Sequence, residues 1–178
     1  MLRRLSIRNV VLIDKLDLDF HDGLSVLTGE TGAGKSILLD SLGLALGARA
    51  DSGLVRHGCD KCSVSATFVL PQGHPVYRLL SGQDIDLEGE ELVVRRVVTA
   101  DGRSRAYVND QAVSVGLLRD VGDYCVEIQG QFDQHGLLDP TTHRSTLDAH
   151  GNLGSMALAV RDHWRAWRET QKELNTAR

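Results

Sequence analysis

An α/β domain with a mixed β-sheet, built around one glycine-rich loop, is the fold the sequence predicts, and three observations point to it. Residues 27–38 read LTGETGAGKSIL, in which Gly29, Gly34, Lys35 and Ser36 satisfy G-x-x-x-x-G-K-[ST], the phosphate-binding loop. The flanks differ in kind: a short β-rich run from Gly23 to Thr28 precedes the loop, and a leucine-rich run from Ile37 to Ala48 follows it, giving the order strand, loop, helix. A chain of 178 residues is also long enough to bury one substantial core.

Taken in order, Leu2 to Arg8 reads as a strand and Leu16 to Phe20, alternating apolar and acidic residues, as a second. Gly23-Leu24 then turns into the strand that feeds the loop. Val64 to Leu70 is strand-like, and Glu91 to Val98 and Ala106 to Asn109 flank Ala100-Asp101-Gly102-Arg103, a hairpin turn. From Leu153 onward, Met156, Val160, Trp164, Trp167, Gln171 and Leu174 step by three or four, with charged residues on the other faces, which predicts an amphipathic helix. The boundary is placed at 150: a lobe over 1–150 and the start of a coiled-coil helix over 151–178, although the pattern alone also suits a core helix.

The loop carries the chemistry. Glycines let the backbone wrap an anion with successive N–H groups inward, because no Cβ blocks the path or forbids positive φ. Ser36 stands at the start of the helix, so a partial charge of roughly +0.5 also faces the phosphates. Lys35 adds a mobile full charge, worth about 4 kcal/mol against one phosphate charge at about 4 Å and an effective dielectric near 20, before desolvation. Gly29, Glu30, Thr31, Gly32, Ala33, Gly34, Lys35, Ser36 and Ile37 are thus the expected nucleotide-binding segment, with the Ser36 hydroxyl placed to ligate Mg²⁺. The dinucleotide fingerprint fits less well, since it does not call for the Lys-Ser pair.

Composition narrows the remaining classes. A net charge of −4 supplies no global basic footprint, so nucleic-acid binding must rest on a local patch or on a partner. MLRRLSIRNVVLID places charges too close together for a signal-peptide core, and no run reaches bilayer length, so the expectation is a cytoplasmic protein. Cys59, Cys62 and Cys125 read as reduced thiols. His57, Cys59 and Cys62 invite a zinc reading, but no second Cys-x-x-Cys follows, and the alternative is thiols at the entry to a strand. His135 and His143 read as surface or loop residues, and no N-K-x-D motif selects guanine.

Four segments, MLRRLSIRNVVLID, LTGETGAGKSILLDSLGLALGARAD, GRSRAYVND and VEIQGQFDQHGLLD, together resemble the bacterial RecN family of SMC-like, ABC-type ATPases. The resemblance runs from Met1 to about Asp148. It implies the amino-terminal lobe of an ATP- and Mg²⁺-dependent head whose two lobes flank a coiled coil, nucleoid-associated and acting on double-stranded DNA ends in break repair and recombination. The implied partners are DNA, a carboxyl-terminal lobe of the same protein, and a second head joined through ATP. Within it, Lys35 would take a catalytic role, and Ile128-Gln129-Gly130-Gln131 is similar to the glutamine loop that reaches Mg²⁺ and the attacking water. Gln129 matches by its place before glycine, yet the family often carries histidine there, so Gln129 and Gln131 both stay open. Arg56 resembles an arginine that SMC heads carry near nucleotide or DNA, and Arg95, Arg96, Arg103 and Arg105 crowd one hairpin where they could engage DNA phosphates. Glu90, Glu91, Asp101 and Asp110 dilute that field.

Two parts of such an ATPase are missing from the sequence. No strand of four apolar residues ends in Asp-Glu; Val97 to Asp101 is the nearest run, and its acid falls in the hairpin turn. Leu80-Ser81-Gly82-Gln83-Asp84 mimics the LSGGQ signature but lacks the second glycine and comes too soon after the loop. The expectation is therefore an ATP-binding lobe that hydrolyses little alone. The alternatives are an ATP-gated module that tethers DNA with little turnover, and a small-molecule kinase, against which the repair-like segments argue.

Overall fold

The computed structural model describes residues 1–29, 34–85, 87, 89–128 and 140–177, with Glu30 to Ala33 and Gln129 to Asp139 among those outside the description. The chain divides into two compact units, Met1–Ile128 and Gln129–Arg178.

The first unit is a six-stranded sheet with helices on one face. Its strands are β1 (Leu2–Val10), β2 (Ile13–Asp19), β3 (Lys61–Val69), β4 (Glu91–Thr99), β5 (Ser104–Val108) and β6 (Gln111–Val113), in the spatial order β2-β1-β3-β4-β5-β6. Helices α1 (Lys35–Ala45), α2 (Pro75–Ser81) and α3 (Val115–Cys125) complete it. Period-two alternation decides which side is core. Cys62, Val64, Ala66 and Phe68 of β3 and Leu92, Val94, Arg96 and Val98 of β4 are buried, while their neighbours are half-exposed or exposed. Helix α1 lies on β3 and touches β1 and β4, burying Leu42, Leu44 and Ala45; α3 lies on β5, burying Leu118 and Val121.

The expected strands are present, and the 100–103 turn closes β4 onto β5 through Gly102 at φ +83 and a bond from Thr99 N to Arg103 O of 2.9 Å. Sheet direction differs from expectation: every pairing among the described residues is antiparallel. The segment 23–28, expected as the strand that feeds the loop, belongs to no strand among the described residues. Leu24 is 93% and Val26 72% exposed, because an apolar run becomes a strand only where a neighbour accepts its backbone.

Three short elements escaped the sequence reading although each has a local cause. Helix α2 starts with Pro75 at its first turn behind His74, whose Nδ1 accepts from Val76 N at 3.4 Å. Helix α3 is capped by Ser114, whose Oγ accepts from Leu117 N at 3.1 Å. β6 follows a two-residue turn, Asn109-Asp110, with both residues at positive φ, as the tight hairpin requires.

In the second unit, α4 (Pro140–His150) and α5 (Gly154–Ala177) are joined by a turn in which Asn152 takes φ +53 and Leu153 N donates to Asp148 O at 2.8 Å. α5 carries the predicted stripe, with Met156, Val160, Trp164, Trp167 and Leu174 all exposed and Arg168 stacked 4.8 Å over the Trp164 ring. No described helix is long and apolar enough to cross a membrane.

Burial separates two apolar positions sharply. Phe68→Ala, at a side chain with no exposure, should cost about 3–5 kcal/mol in chemical denaturation, whereas Leu24→Ser should stay within about 0.5 kcal/mol.

Candidate functional site: the loop before α1

The site is built by the backbone at the start of α1. Gly34 is the N-cap, at φ 88 and ψ 7 in the left-handed region, and as a glycine it offers no capping side chain. Among the described residues an added Cβ here would meet nothing closer than Ile37 Cδ1 at 3.9 Å. Conformation is the reason for glycine: a residue with a Cβ pays roughly 1–2 kcal/mol to hold that φ. Gly34 brings no side chain to the N-cap and the first turn of α1 carries no acid, so neither neutralises the positive end of the helix. This donor set, amides plus an ammonium plus a hydroxyl, suits the phosphates and Mg²⁺ of a nucleotide.

Packing fixes the direction in which those groups point. Ile37 and Leu38 rest against the core, and Leu42, Leu44 and Ala45 hold the rest of α1 on the sheet. Burying each leucine contributes about 1.5–3 kcal/mol, which anchors the helix while its first turn stays open. Lys35 is half-buried and its Nζ donates to the carbonyl oxygen of Gly29, so the ammonium folds back over the loop. Ser36 is exposed in the first turn. The structure thus brings Gly29, Gly34, Lys35, Ser36 and Ile37 together. Glu30, Thr31, Gly32 and Ala33 lie outside the described residues, as do Gln129 and Gln131.

The arginines of the sequence analysis fall in three settings. Arg56 is fixed at the β1–β2 turn: its N donates to Asn9 O at 2.9 Å and its Nη1 to Leu12 O at 3.3 Å. At that turn Val11 takes φ +45, a left-handed conformation unusual for a β-branched residue. Arg95 and Arg96 point to opposite faces of β4, because successive side chains alternate. Arg95 pairs with Asp110 at 2.7 Å and lies 4.4 Å over the Tyr107 ring, whereas Arg96 is 3% exposed and faces the core. Four basic groups therefore do not crowd one surface, as the sequence suggested. Arg103 is exposed and paired with Asp101 at 3.2 Å, and Arg105 is exposed on β5. The Asp101 carboxyl is held below the usual range by the Thr99 hydroxyl, with the Arg103 backbone N–H and charge adding to it.

Other sequence signals resolve into structure. Leu80 is fully buried and Ser81 closes α2, with Gly82 to Asp84 forming the turn after it, so the mimic of a signature motif is a helix terminus. Cys62 faces the core of β3 and burial raises its thiol, while Cys59 sits in the preceding turn with its N donating to Arg56 O at 3.0 Å. Among the described residues no three His, Cys, Asp or Glu side chains are grouped to hold a metal. His143 lies on α4 and is exposed, and His135 is outside the described residues.

Comparison with known proteins adds lineage to this geometry. The AAA domain family model matches residues 4–133, most of the chain. The chain belongs to the AAA domain family. This AAA domain chain is 38% identical over 178 residues to the DNA repair protein RecN of Vibrio cholerae, covering 100% of this chain and 32% of that protein. To the DNA repair protein RecN of Bacillus subtilis it is 41% identical over 148 residues, covering 83% of this chain and 26% of that protein. It therefore spans about a third of the length of the curated relatives it matches. Among solved structures, a chain from work on ATP-driven dimerization and DNA-stimulated activation of SMC ATPases superposes with a TM-score of 0.58 at 22% identity, covering 83% of this chain and 97% of that one. The fold of this AAA domain is that of an SMC-type head lobe.

Burial raises the Cys125 thiol to about 11, with the amino terminus pulling weakly the other way. At pH 8 that thiol is almost wholly protonated in the native chain. Alkylation of Cys125 should then run on the order of a hundredfold slower than in urea, read by mass spectrometry of the labelled peptide.

Proposed function

We propose that this chain is the ATP-binding amino-terminal lobe of an SMC-like ATPase that works in DNA double-strand-break repair and recombination. The observation that carries it is Gly34 holding a left-handed backbone at the N-cap of α1, with Lys35 and Ser36 on the first turn. The names of the relatives, DNA repair protein RecN, support the setting, and the SMC-type fold supports the chemistry.

In this reading the amides after Gly34 and the ammonium of Lys35 bind the triphosphate, and Ser36 with Gln129 or Gln131 ligates Mg²⁺. Mg-ATP, when bound, supplies the phosphoryl group to be transferred to water; the chain's own residues bind it, orient it and screen its charge. Hydrolysis requires the acidic and signature motifs of a carboxyl-terminal lobe, supplied by the part of the protein beyond the third spanned here. The segment before the loop fits that partner, because Leu24, Val26 and Leu27 are apolar, exposed and outside the sheet. α5 continues as one arm of a coiled coil through its exposed stripe, and a second head joins through ATP. Double-stranded DNA is engaged by exposed basic residues, of which Arg105 and Arg103 are the most accessible of those named, in a cytoplasmic, nucleoid-associated setting.

A steady-state turnover assay on the 178-residue chain and on a two-lobed head, each with Lys35→Ala, separates the elements of this reading. The two-lobed head should turn over in a lysine-dependent way, and the chain alone should show at most about a hundredth of that rate. Lysine-dependent turnover by the isolated chain at the rate of the two-lobed head would refute the division of labour. ATP-dependent head pairing on DNA without turnover in the two-lobed head would favour the tethering alternative.

A further inference from the structure

Pairing register and pleat decide which charges of the sheet share a side. Cys62, Val64, Ala66 and Phe68 of β3 face the core, so Lys61, Ser63, Ser65 and Thr67 stand on the outer face. Counted across the sheet from Ser63, the paired residues are Arg8 of β1 and Lys15 of β2 on one side, and Val97 of β4 and Arg105 of β5 on the other. Lys15, Arg8, Ser63, Val97 and Arg105 therefore make one row across five strands, about 19 Å long at roughly 4.8 Å per strand spacing. Lys61 stands on the same face of β3, one outward position along from Ser63.

The ion pairs divide this face into two ends. Toward the start of β1 the cations are matched, Arg3 by Asp22 at 3.7 Å and Arg4 by Asp19 at 2.6 Å, and Glu91 adds an exposed acid. Arg95, nearer the middle, is matched by Asp110 at 2.7 Å. At the other end Lys15, Lys61 and Arg105 are exposed, and none of them forms an ion pair among the described residues. Arg8 pairs with Asp17 at 2.8 Å, an exposed contact worth about 0–1 kcal/mol that a phosphate can displace. Arg103 is matched by Asp101 and stands outside the row. Alternation sends Asp14, the acid beside Lys15, to the opposite side of β2. The sheet is thus neutralised at one end of its outer face and keeps unmatched positive charge at the other.

We propose that the row of Lys15, Arg8, Ser63 and Arg105, with Lys61 beside it, is a track on the outer face of the sheet that holds the phosphodiester backbone of duplex DNA. At one charge per roughly 1.7 Å, a B-form duplex carries on the order of ten phosphate charges over about 19 Å, so each cation of the row finds a phosphate without reading a base. Ser63 keeps the middle of the row low between its charged ends, and its hydroxyl is of the kind that positions a phosphate. Binding through such a row is independent of sequence and weakens steeply with salt. The inference rests on the DNA reading above and carries it from the β4–β5 hairpin to β1, β2 and β3, whose cations come together only through strand pairing.

Fluorescence anisotropy of a labelled blunt duplex titrated with the 178-residue chain, between about 50 and 200 mM salt, tests it. In the parent, log K should fall linearly with log salt. When Lys15→Gln, Lys61→Gln and Arg105→Gln are combined, the slope should shrink by about 2.7, three phosphates at about 0.9 each, with binding at least about tenfold weaker at the lowest salt. Arg105→Gln alone should shrink the slope by about 0.9, and it decides the matter should the triple variant fail to fold. Arg4→Gln, at the matched end, should leave the slope as it is in the parent. The parent's slope in a folded triple variant overturns the row, and so does an equal loss in Arg4→Gln. A parent that binds no duplex is a failure of the DNA reading instead, and inorganic polyphosphate then decides the row: binding lost in the triple variant retains it as a polyanion site, and binding absent or equal in both chains overturns it. Self-association at low salt that the triple variant abolishes while DNA binding stays intact gives the row to a second copy of the chain, which also overturns the proposal.

Discussion

Everything proposed for this chain depends on how one helix starts. A typical α-helix places a serine, threonine or aspartate at its N-cap, whereas α1 has Gly34 there, in a left-handed backbone and with no side chain to offer. A capping side chain at that position would be worth about 1 kcal/mol to the fold, and the glycine forgoes it at the end of the helix that favours an anion. The sequence compensates further along the same helix. Leu42, Leu44 and Ala45 press it onto β3, so that packing at one end offsets the missing N-cap side chain at the other.

The sheet serves as a platform whose two sides have separate tasks. Its inner face is a continuous apolar core from Ile7 through Val64 and Val94 to Val108, and this is what orients α1 and α3. Its outer face is polar and largely self-paired, with Arg4 on Asp19 at 2.6 Å, Arg8 on Asp17 at 2.8 Å and Arg95 on Asp110 at 2.7 Å. Exposed pairs of this kind are worth about 0–1 kcal/mol each, so a competing phosphate can take over an arginine at little cost to the fold. Arg96 breaks the division, since it is a buried charged residue on the apolar side of β4, bonded to Ser104, a context that charge counting along the sequence could not give.

Most of the first unit was legible because its signals are local and periodic. The strand-like runs at 64–70 and 91–98 fall on β3 and β4, and the phosphate-loop motif announced the helix that follows it. Two failures have a common cause. The run Leu24 to Thr28 looks like a strand by composition, but pairing is a property of neighbours, and none among the described residues accepts it. Arg95 and Arg96 look like one basic cluster by proximity, but the pleat sends them to opposite faces. Helix α3 was hidden by weak propensity, two glycines within eleven residues, and only Ser114 marked its start. Those glycines are informative afterwards: Gly122 is where α3 admits the turn after α1.

The central claim is that the left-handed backbone at Gly34, and nothing bulkier, aims the first amides of α1 at a triphosphate. Calorimetric titration of Mg-ATP into the chain and into Gly34→Ala tests it most directly, because among the described residues the methyl group makes only an ordinary contact with Ile37 and acts through φ. The account predicts a saturable heat for the parent and at least about a tenfold weaker association for Gly34→Ala, with the sheet still folded by circular dichroism. Equal heats from both chains, or none from a well-folded parent, would contradict it.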